Sequence, residues 1–283
     1  MKIHYECITC AVNQVQKIVE MSTSNLEKRR EAMVFLAKQI GEFFNEDSVP
    51  ATDGGMLFLE LYKFLGNDDP FKEYKRRSSE LARKVAKDIG TVDDFKTAMR
   101  LAIAGNVIDF AVGYDPEKIE EDILRMAGEE LYIDESDVLF RELEKARVLL
   151  YLVDNCGEIY FDRLFIETIK RLFPGLEVYV AAKEGPIIND ATVEDLLEAG
   201  FDRFSHVIST GSRLPGTPLE YASENFIELF KRADVIIAKG QANFETLSEL
   251  RDSRIFFLLK AKCSPIAREL NVPKGSAMCI RWL

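Results

Sequence analysis

Asp154 and Asn155 follow directly on the apolar run VLLYLV, and Asp190 ends the segment IIND further along the chain. Adjacent carboxylate and amide oxygens with a third carboxylate are the ligands that Mg²⁺ or Mn²⁺ prefers, whereas zinc favours His or Cys. Each aspartate also has a plain structural reading: Asp154 can cap a helix starting near Glu158, and Asp190 one starting at Ala191. Two carboxylates and an amide at neighbouring strand ends favour the metal. Lys239-Gly240 follows the apolar run DVIIA and sets an ammonium beside a glycine whose N–H can approach a phosphate; the alternative is a solvated lysine and a turn glycine. Residues 211–217, with Ser212 and Arg213 among glycines, can cradle an anion, although glycine-rich loops are common. Gly105-Asn106, followed by Asp109, interrupts the helical run LAIAGNVIDFAV, which marks either a site or a turn between helices.

The thiols say less. Cys7 and Cys10 lie three residues apart on a helical pattern with His4 one turn earlier, half a zinc site that needs Cys263, Cys279 or another chain to complete it. The alternative is ordinary buried or surface thiols. Cys156 stands among carboxylates that raise its pKa and disfavour a thiolate nucleophile. An aspartate closing a first strand resembles the haloacid-dehalogenase phosphatases, which use that aspartate as nucleophile and a second one two residues later as acid. Position 156 is cysteine, so a metal-activated water is the better mechanism.

The elements that must position these residues change character near residue 147. Before it, apolar residues recur at three- and four-residue spacing, as in 25–44, 56–65 and 74–89, with breaks expected at Asp53-Gly54-Gly55 and Asp68-Asp69-Pro70. After it, short aliphatic runs alternate with helical segments, predicting strands at 148–153, 177–182, 206–209, 235–238, 255–259 and 277–281, and helices such as 158–173 and 223–232. The expectation is an α/β fold: a three-layer α/β/α catalytic core at 147–283 with a mostly parallel sheet, and a helical subdomain at 1–146. In such sheets ligands bind beyond the carboxyl ends of the strands, where four polar loops here face one crevice.

Bulk properties narrow the partners. With 37 Lys and Arg against 48 Asp and Glu, the net charge is -11, which disfavours nucleic acid and anionic lipid while leaving a small anionic substrate open. No run approaches the roughly 18 apolar residues of a membrane span. The opening MKIHYECITC lacks a signal-peptide pattern and the cysteine number is odd, so a cytoplasmic protein without a disulfide framework is expected. Oligomeric state is left open.

Taken in order, GN at 105–106, DNCGE at 154–158, IIND at 187–190 and KGQANFE at 239–245 resemble the damage-control phosphatase family, formerly domain of unknown function 89. The likeness covers nearly the whole chain, including the CxxC start of the family's prokaryotic branch. It implies an α/β/α core with an appended helical region, and a phosphatase that uses Mn²⁺, Co²⁺, Ni²⁺ or Mg²⁺ on small phosphorylated metabolites. It puts the metal on Asp154, Asn155 and Asp190, and substrate contacts on Gly105, Asn106 and Lys239. Glu158, Asn243 and Glu245 match further motif positions. The expected catalytic set is Asp154, Glu158 and Lys239, and Ser212, Arg213 and Asn243 join the substrate-binding set.

Two other activities compete. A eukaryotic member of that family has been described as a carboxyl methyltransferase using S-adenosylmethionine; this reading needs an acidic residue at the second strand end, where Glu184 stands, but the first loop has one glycine, Gly157. A non-catalytic, metal-stabilised binding protein is the third reading.

Overall fold

The computed structural model describes residues 1–106 and 116–283, with backbone alone for 116–120; Asp109 lies outside the described residues. The chain begins with helices α1 (Tyr5–Ser22), α2 (Leu26–Phe43), α3 (Pro50–Leu65), α4 (Lys72–Ile89), α5 (Phe95–Gly105) and α6 (Pro116–Gly128). It continues through β1 (Ile133–Asp134), α7 (Ser136–Lys145), β2 (Val148–Leu152), α8 (Ile159–Leu172), β3 (Glu177–Ala182), α9 (Val193–Glu198) and β4 (His206–Ser209). The remainder is α10 (Glu224–Arg232), β5 (Val235–Lys239), α11 (Gly240–Leu247), β6 (Ile255–Lys260), α12 (Ser264–Glu269) and β7 (Ala277–Arg281).

Seven strands form one sheet in the order β1-β7-β6-β5-β2-β3-β4. All pairs are parallel except β6 with β7. The chain runs outward from β2 to β3 and β4, then returns to the other side of β2 with β5 and β6. The sheet therefore reverses its winding between β2 and β5, and a doubly wound sheet opens its ligand crevice there.

Strands buried on both faces explain the unbroken apolar runs. Leu149, Tyr151 and Val153 face a core shared with α5, α7 and α8, while Val148, Leu150 and Leu152 face one shared with α10 and α11. This is the expected α/β/α layering. Packing is shared across residue 146: Leu101 and Ile103 of α5 and Leu139 of α7 lie in the same core as Phe161 and Phe165 of α8, and β1 lengthens the sheet beside β7. A separate core joins α1, α2, α3 and the start of α4, and Ile187 from beyond β3 reaches into it.

One expected break is absent. Asp53-Gly54-Gly55 lies inside α3, because Pro50 starts the helix at a position that needs no N–H and Asp53 accepts the Val49 N–H at 2.7 Å. Burial of Leu57, Phe58, Leu61 and Tyr62 along one face outweighs about 1 kcal/mol of helix propensity lost per glycine. Among the described residues, no helix is long and apolar enough to cross a membrane.

Candidate functional site

A cavity of about 640 Å³ opens beyond the carboxyl ends of β2, β3, β5 and β6, and α1 and α3 line its other side. Asp154, Asn155, Glu158, Asp190, Gly105 and Asn106 all face it. Asn155 and Asp190 meet as an isolated bridge, and the Ala191 N–H donates to the Asp154 carbonyl at 2.8 Å, so the loops after β2 and β3 are tied together. Neither aspartate caps a helix. The cap of α9 is Thr192, closed by Asp195, and Glu158 stands at the cap position of α8 without a side-chain capping bond.

The floor is a buried cluster of charge. Asp154, Glu158, Asp162 and Asp190 are each at most 7% exposed, and the buried ammonium groups among them are those of Lys183 and Lys239. Burial, with repulsion from Glu158 added, raises the Asp154 carboxyl to about 6. Burial raises Asp190 to about 8 despite Lys183, whose Nζ stands 3.8 Å from Asp190 Oδ2. The amides are drawn in: Asn106 Nδ2 donates to Asp154 Oδ2 at 2.7 Å and to Glu158 Oε2, and Asn155 Nδ2 donates to the same two oxygens at 3.1 and 2.9 Å. Asn106 Oδ1 and Asp190 Oδ2 have no hydrogen-bond partner.

Several expected substrate contacts turn out to hold the site together. Lys239 was expected across the crevice from the metal residues, yet it is fully buried and donates to Asp162 at 2.5 Å, Glu158 at 2.9 Å and the Ala102 carbonyl at 2.9 Å. Its Nζ has no donor left for a phosphate. Tyr151 completes the group by donating to Asp162 at 2.7 Å. Asn243 is buried and donates to the Lys239 and Val153 carbonyls. Ser212 Oγ accepts the Leu214 N–H, and Arg213 donates to the carbonyls of Pro186 and Asp68, so that loop braces its neighbours.

Two glycines are required by contact. A Cβ on Gly105 would stand 2.8 Å from the Phe161 ring, so this glycine lets α5 close against α8 and bring Asn106 over the carboxylates. Gly240 has φ +75°, and its Cβ would fall 1.9 Å from Asp154 Oδ2. It makes room for the Asp154 carboxylate.

Sequence reasoning passed over Lys262, Asp162 and Tyr151. Lys262 lies just past β6, lines the cavity and lowers the Asp154 pKa through its charge; its Nζ donates to the Asn106 carbonyl. The same strand-end rule, applied to β6, would have found it. Asp162 and Tyr151 look apolar-patterned or helical in sequence and carry no such signal. Glu184 is exposed and does not line the cavity. Cys7, Cys10 and Cys263 line its outer wall, Cys279 is buried in β7, and all five cysteines are free. Among the described residues, no three His, Cys, Asp or Glu side chains are placed to hold a metal ion.

The damage-control phosphatase ARMT1-like domain matches residues 3–278. The chain belongs to this family. It is 57% identical over 283 residues to a damage-control phosphatase of Pyrococcus horikoshii, covering 99% of this chain and 98% of that one. A damage-control phosphatase of Archaeoglobus fulgidus is 34% identical over 284 residues, with 97% of each chain covered. A crystal structure of a DUF89 family protein from Pyrococcus horikoshii matches with a TM-score of 0.97 and 57% identity over 100% of both chains. The family and fold expected from the motifs are thus those found.

In this ARMT1-like domain, Lys239→Met should lower stability by about 3–5 kcal/mol, because it strands Glu158 and Asp162 as buried, uncompensated charges. Urea unfolding checks this, and an unchanged midpoint with a fall in kcat would return Lys239 to the substrate. Glu245, which lines the cavity, is raised from 4.5 to about 7, chiefly by burial, against the nearby N-terminal ammonium. A carboxyl whose folded pKa is raised loses stability as pH rises from its unfolded value through its folded one. Metal-free protein should therefore lose Tm between about pH 4.5 and pH 7, and Glu245→Gln should remove that part of the slope.

Proposed function

We propose that the chain is a divalent-metal-dependent phosphatase acting on small phosphorylated metabolites in the cytosol, with the cation held by Asp154, Asn155 and Asp190. The observation that carries this is the buried cluster in which four carboxylates are packed beneath the cavity with the ammonium groups of Lys183 and Lys239, an excess of carboxylate that a divalent cation would relieve. The donors also fit. Asp190 Oδ2 is without a partner, and a half-turn of the Asn155 amide exchanges its nitrogen for a hard oxygen beside Asp154. The names of the relatives support the reaction class. Free thiols at Cys7 and Cys10, close in sequence and both on the cavity wall, fit a reducing compartment.

A bound divalent cation supplies charge stabilisation to phosphoryl oxygens and a water acidified toward neutral pH. The protein's own part is positioning. Glu158 holds the Asn106 amide by one oxygen and Lys239 by the other, which fixes Asn106 over the cavity. Lys262, at the rim and not consumed by a carboxylate, is a cation available to bind the substrate phosphate and meet charge that develops on its oxygens. Asn106 takes a substrate oxygen or the departing group through the amide that now rests on Asp154 and Glu158.

The experiment is phosphate release from a panel of phosphorylated metabolites with Mn²⁺, Co²⁺, Ni²⁺ or Mg²⁺, before and after chelation. Asp154→Ala and Asp190→Ala should abolish metal-dependent release with the fold retained by circular dichroism. Full activity of either variant at saturating metal would sink the ligand assignment. Lys262→Ala should lower kcat by about 10² without weakening Mn²⁺ binding, the scale of losing one preorganised donor. Loss of Mn²⁺ binding with kcat intact would instead make Lys262 an organiser of the metal loops.

A further inference from the structure

Ile188 stands in the left-handed region, with φ +37°. A β-branched residue there is a steric outlier that persists only where its surroundings over-determine it. Neither glycine nor asparagine occupies the position, so the conformation is imposed from outside the segment. Its sources are visible. The Ile188 N–H donates to the Tyr62 hydroxyl at 2.9 Å, and Tyr62 is buried in α3 at 1% exposure. Ile187 is fully buried in the core of the first helices, and Ile188 packs against that same core.

From the opposite side the turn is fixed to the sheet. The Asp190 N–H donates to the Ile187 carbonyl at 3.0 Å, the Cys156 N–H to the Asn189 carbonyl at 2.9 Å, and Arg213 to the Pro186 carbonyl at 2.7 Å. Residues 187–190 are thus clamped between the helical pack and the loop after β2. Asp190 emerges at 2% exposure beside Asp154, its Oδ2 unpartnered and turned toward Lys183.

We propose that Tyr62 is a positioning residue for the metal site: its hydroxyl holds Ile188 in the left-handed conformation, and that conformation presents the Asp190 carboxylate beside Asp154. The inference rests on the reading of Asp190 as a metal ligand. Without the hydroxyl, the Ile188 N–H loses its protein acceptor, and the turn is free to leave its strained conformation. Asp190 then samples positions away from Asp154. The metal site loses affinity while its chemistry, once loaded, is little altered. A glycine at 188 adopts positive φ without the steric penalty, so it should make the turn independent of Tyr62.

The test is direct Mn²⁺ binding to the full chain, by titration calorimetry and by the paramagnetic resonance of free Mn²⁺, with kcat at saturating Mn²⁺ and Tm measured alongside. Tyr62→Phe keeps the ring and its packing. It should weaken Mn²⁺ binding about tenfold, the scale of one hydrogen bond, with kcat at saturation within about twofold of wild type. Tyr62→Phe with Ile188→Gly should bind Mn²⁺ within about threefold of wild type, even though it removes more packing. A role in packing alone predicts the reverse order, with the double variant the weaker binder. Unchanged Mn²⁺ affinity in Tyr62→Phe, or a double variant no tighter than the single one, overturns the proposal. Asp190→Asn separates ligation from positioning: if it leaves Mn²⁺ affinity unchanged, the metal reading fails, and if it weakens binding while Tyr62→Phe does not, the positioning inference alone fails.

Discussion

Buried like charge is the constraint on which the rest of this structure depends. Four carboxylates gathered beneath one cavity repel each other and have lost their water, and the raised pKa values of Asp154, Asp162 and Asp190 record the result. Lys239 answers part of it. Its ammonium joins Asp162 and Glu158 of the β2–α8 segment to the end of β5, and through Ala102 it reaches α5 as well. Taking one partner out of such a group is far more costly than never having built it. The network is therefore a fixed platform, and the carboxylates on its upper side are held where a cation can compensate them.

The sheet explains why these groups can meet at all. Residues 154 and 239 are far apart in sequence, but β2 and β5 pair in parallel register, Leu152 beside Ala238, so the residues that end each strand arrive on one side of the sheet. Reversal of winding between those strands keeps the connecting helices from closing over that end. Close packing does the remainder. Gly105 lets α5 approach α8, and Gly240 lets α11 start against Asp154; each approach brings an amide or a carboxylate within bonding distance of the others.

Three lysines near the cavity illustrate how position separates role from residue type. Lys239 is walled in and neutralises the platform. Lys183 is equally buried, 3.8 Å from Asp190, and donates to the Gly216 carbonyl, so it ties the loop after β3 to the loop after β4. Lys262 stands at the rim. An ammonium must keep an open donor and a path to solvent to receive a substrate anion, and of these three only Lys262 is exposed.

Much of this was legible in the sequence. Unbroken aliphatic runs have to be covered on both faces, so the strand positions and the parallel sheet followed from composition alone, and strands at 177–182, 206–209 and 277–281 lie where the runs put them. Asp154, Asn155 and Asp190 were recognisable as polar residues in the loops beyond such runs, where ligands of parallel sheets bind, and Asn106 as a break in a helical run. The direction of a side chain was not legible. Lys239 sits in the sequence like a phosphate-binding lysine, and only the arrival of Asp162 from α8 and the carbonyl of α5 turns it inward. Arg213 reads as an anion cradle, and only the fold shows that its Nε and Nη2 donate to the carbonyls of Pro186 and Asp68. The turn at Ile188 carries no local signal, since its backbone is held by Tyr62, 126 residues earlier in the chain. A sequence states which groups are present and how far apart they lie along the chain; which of them share a hydrogen bond depends on long-range packing, and that is decided only when the layers close.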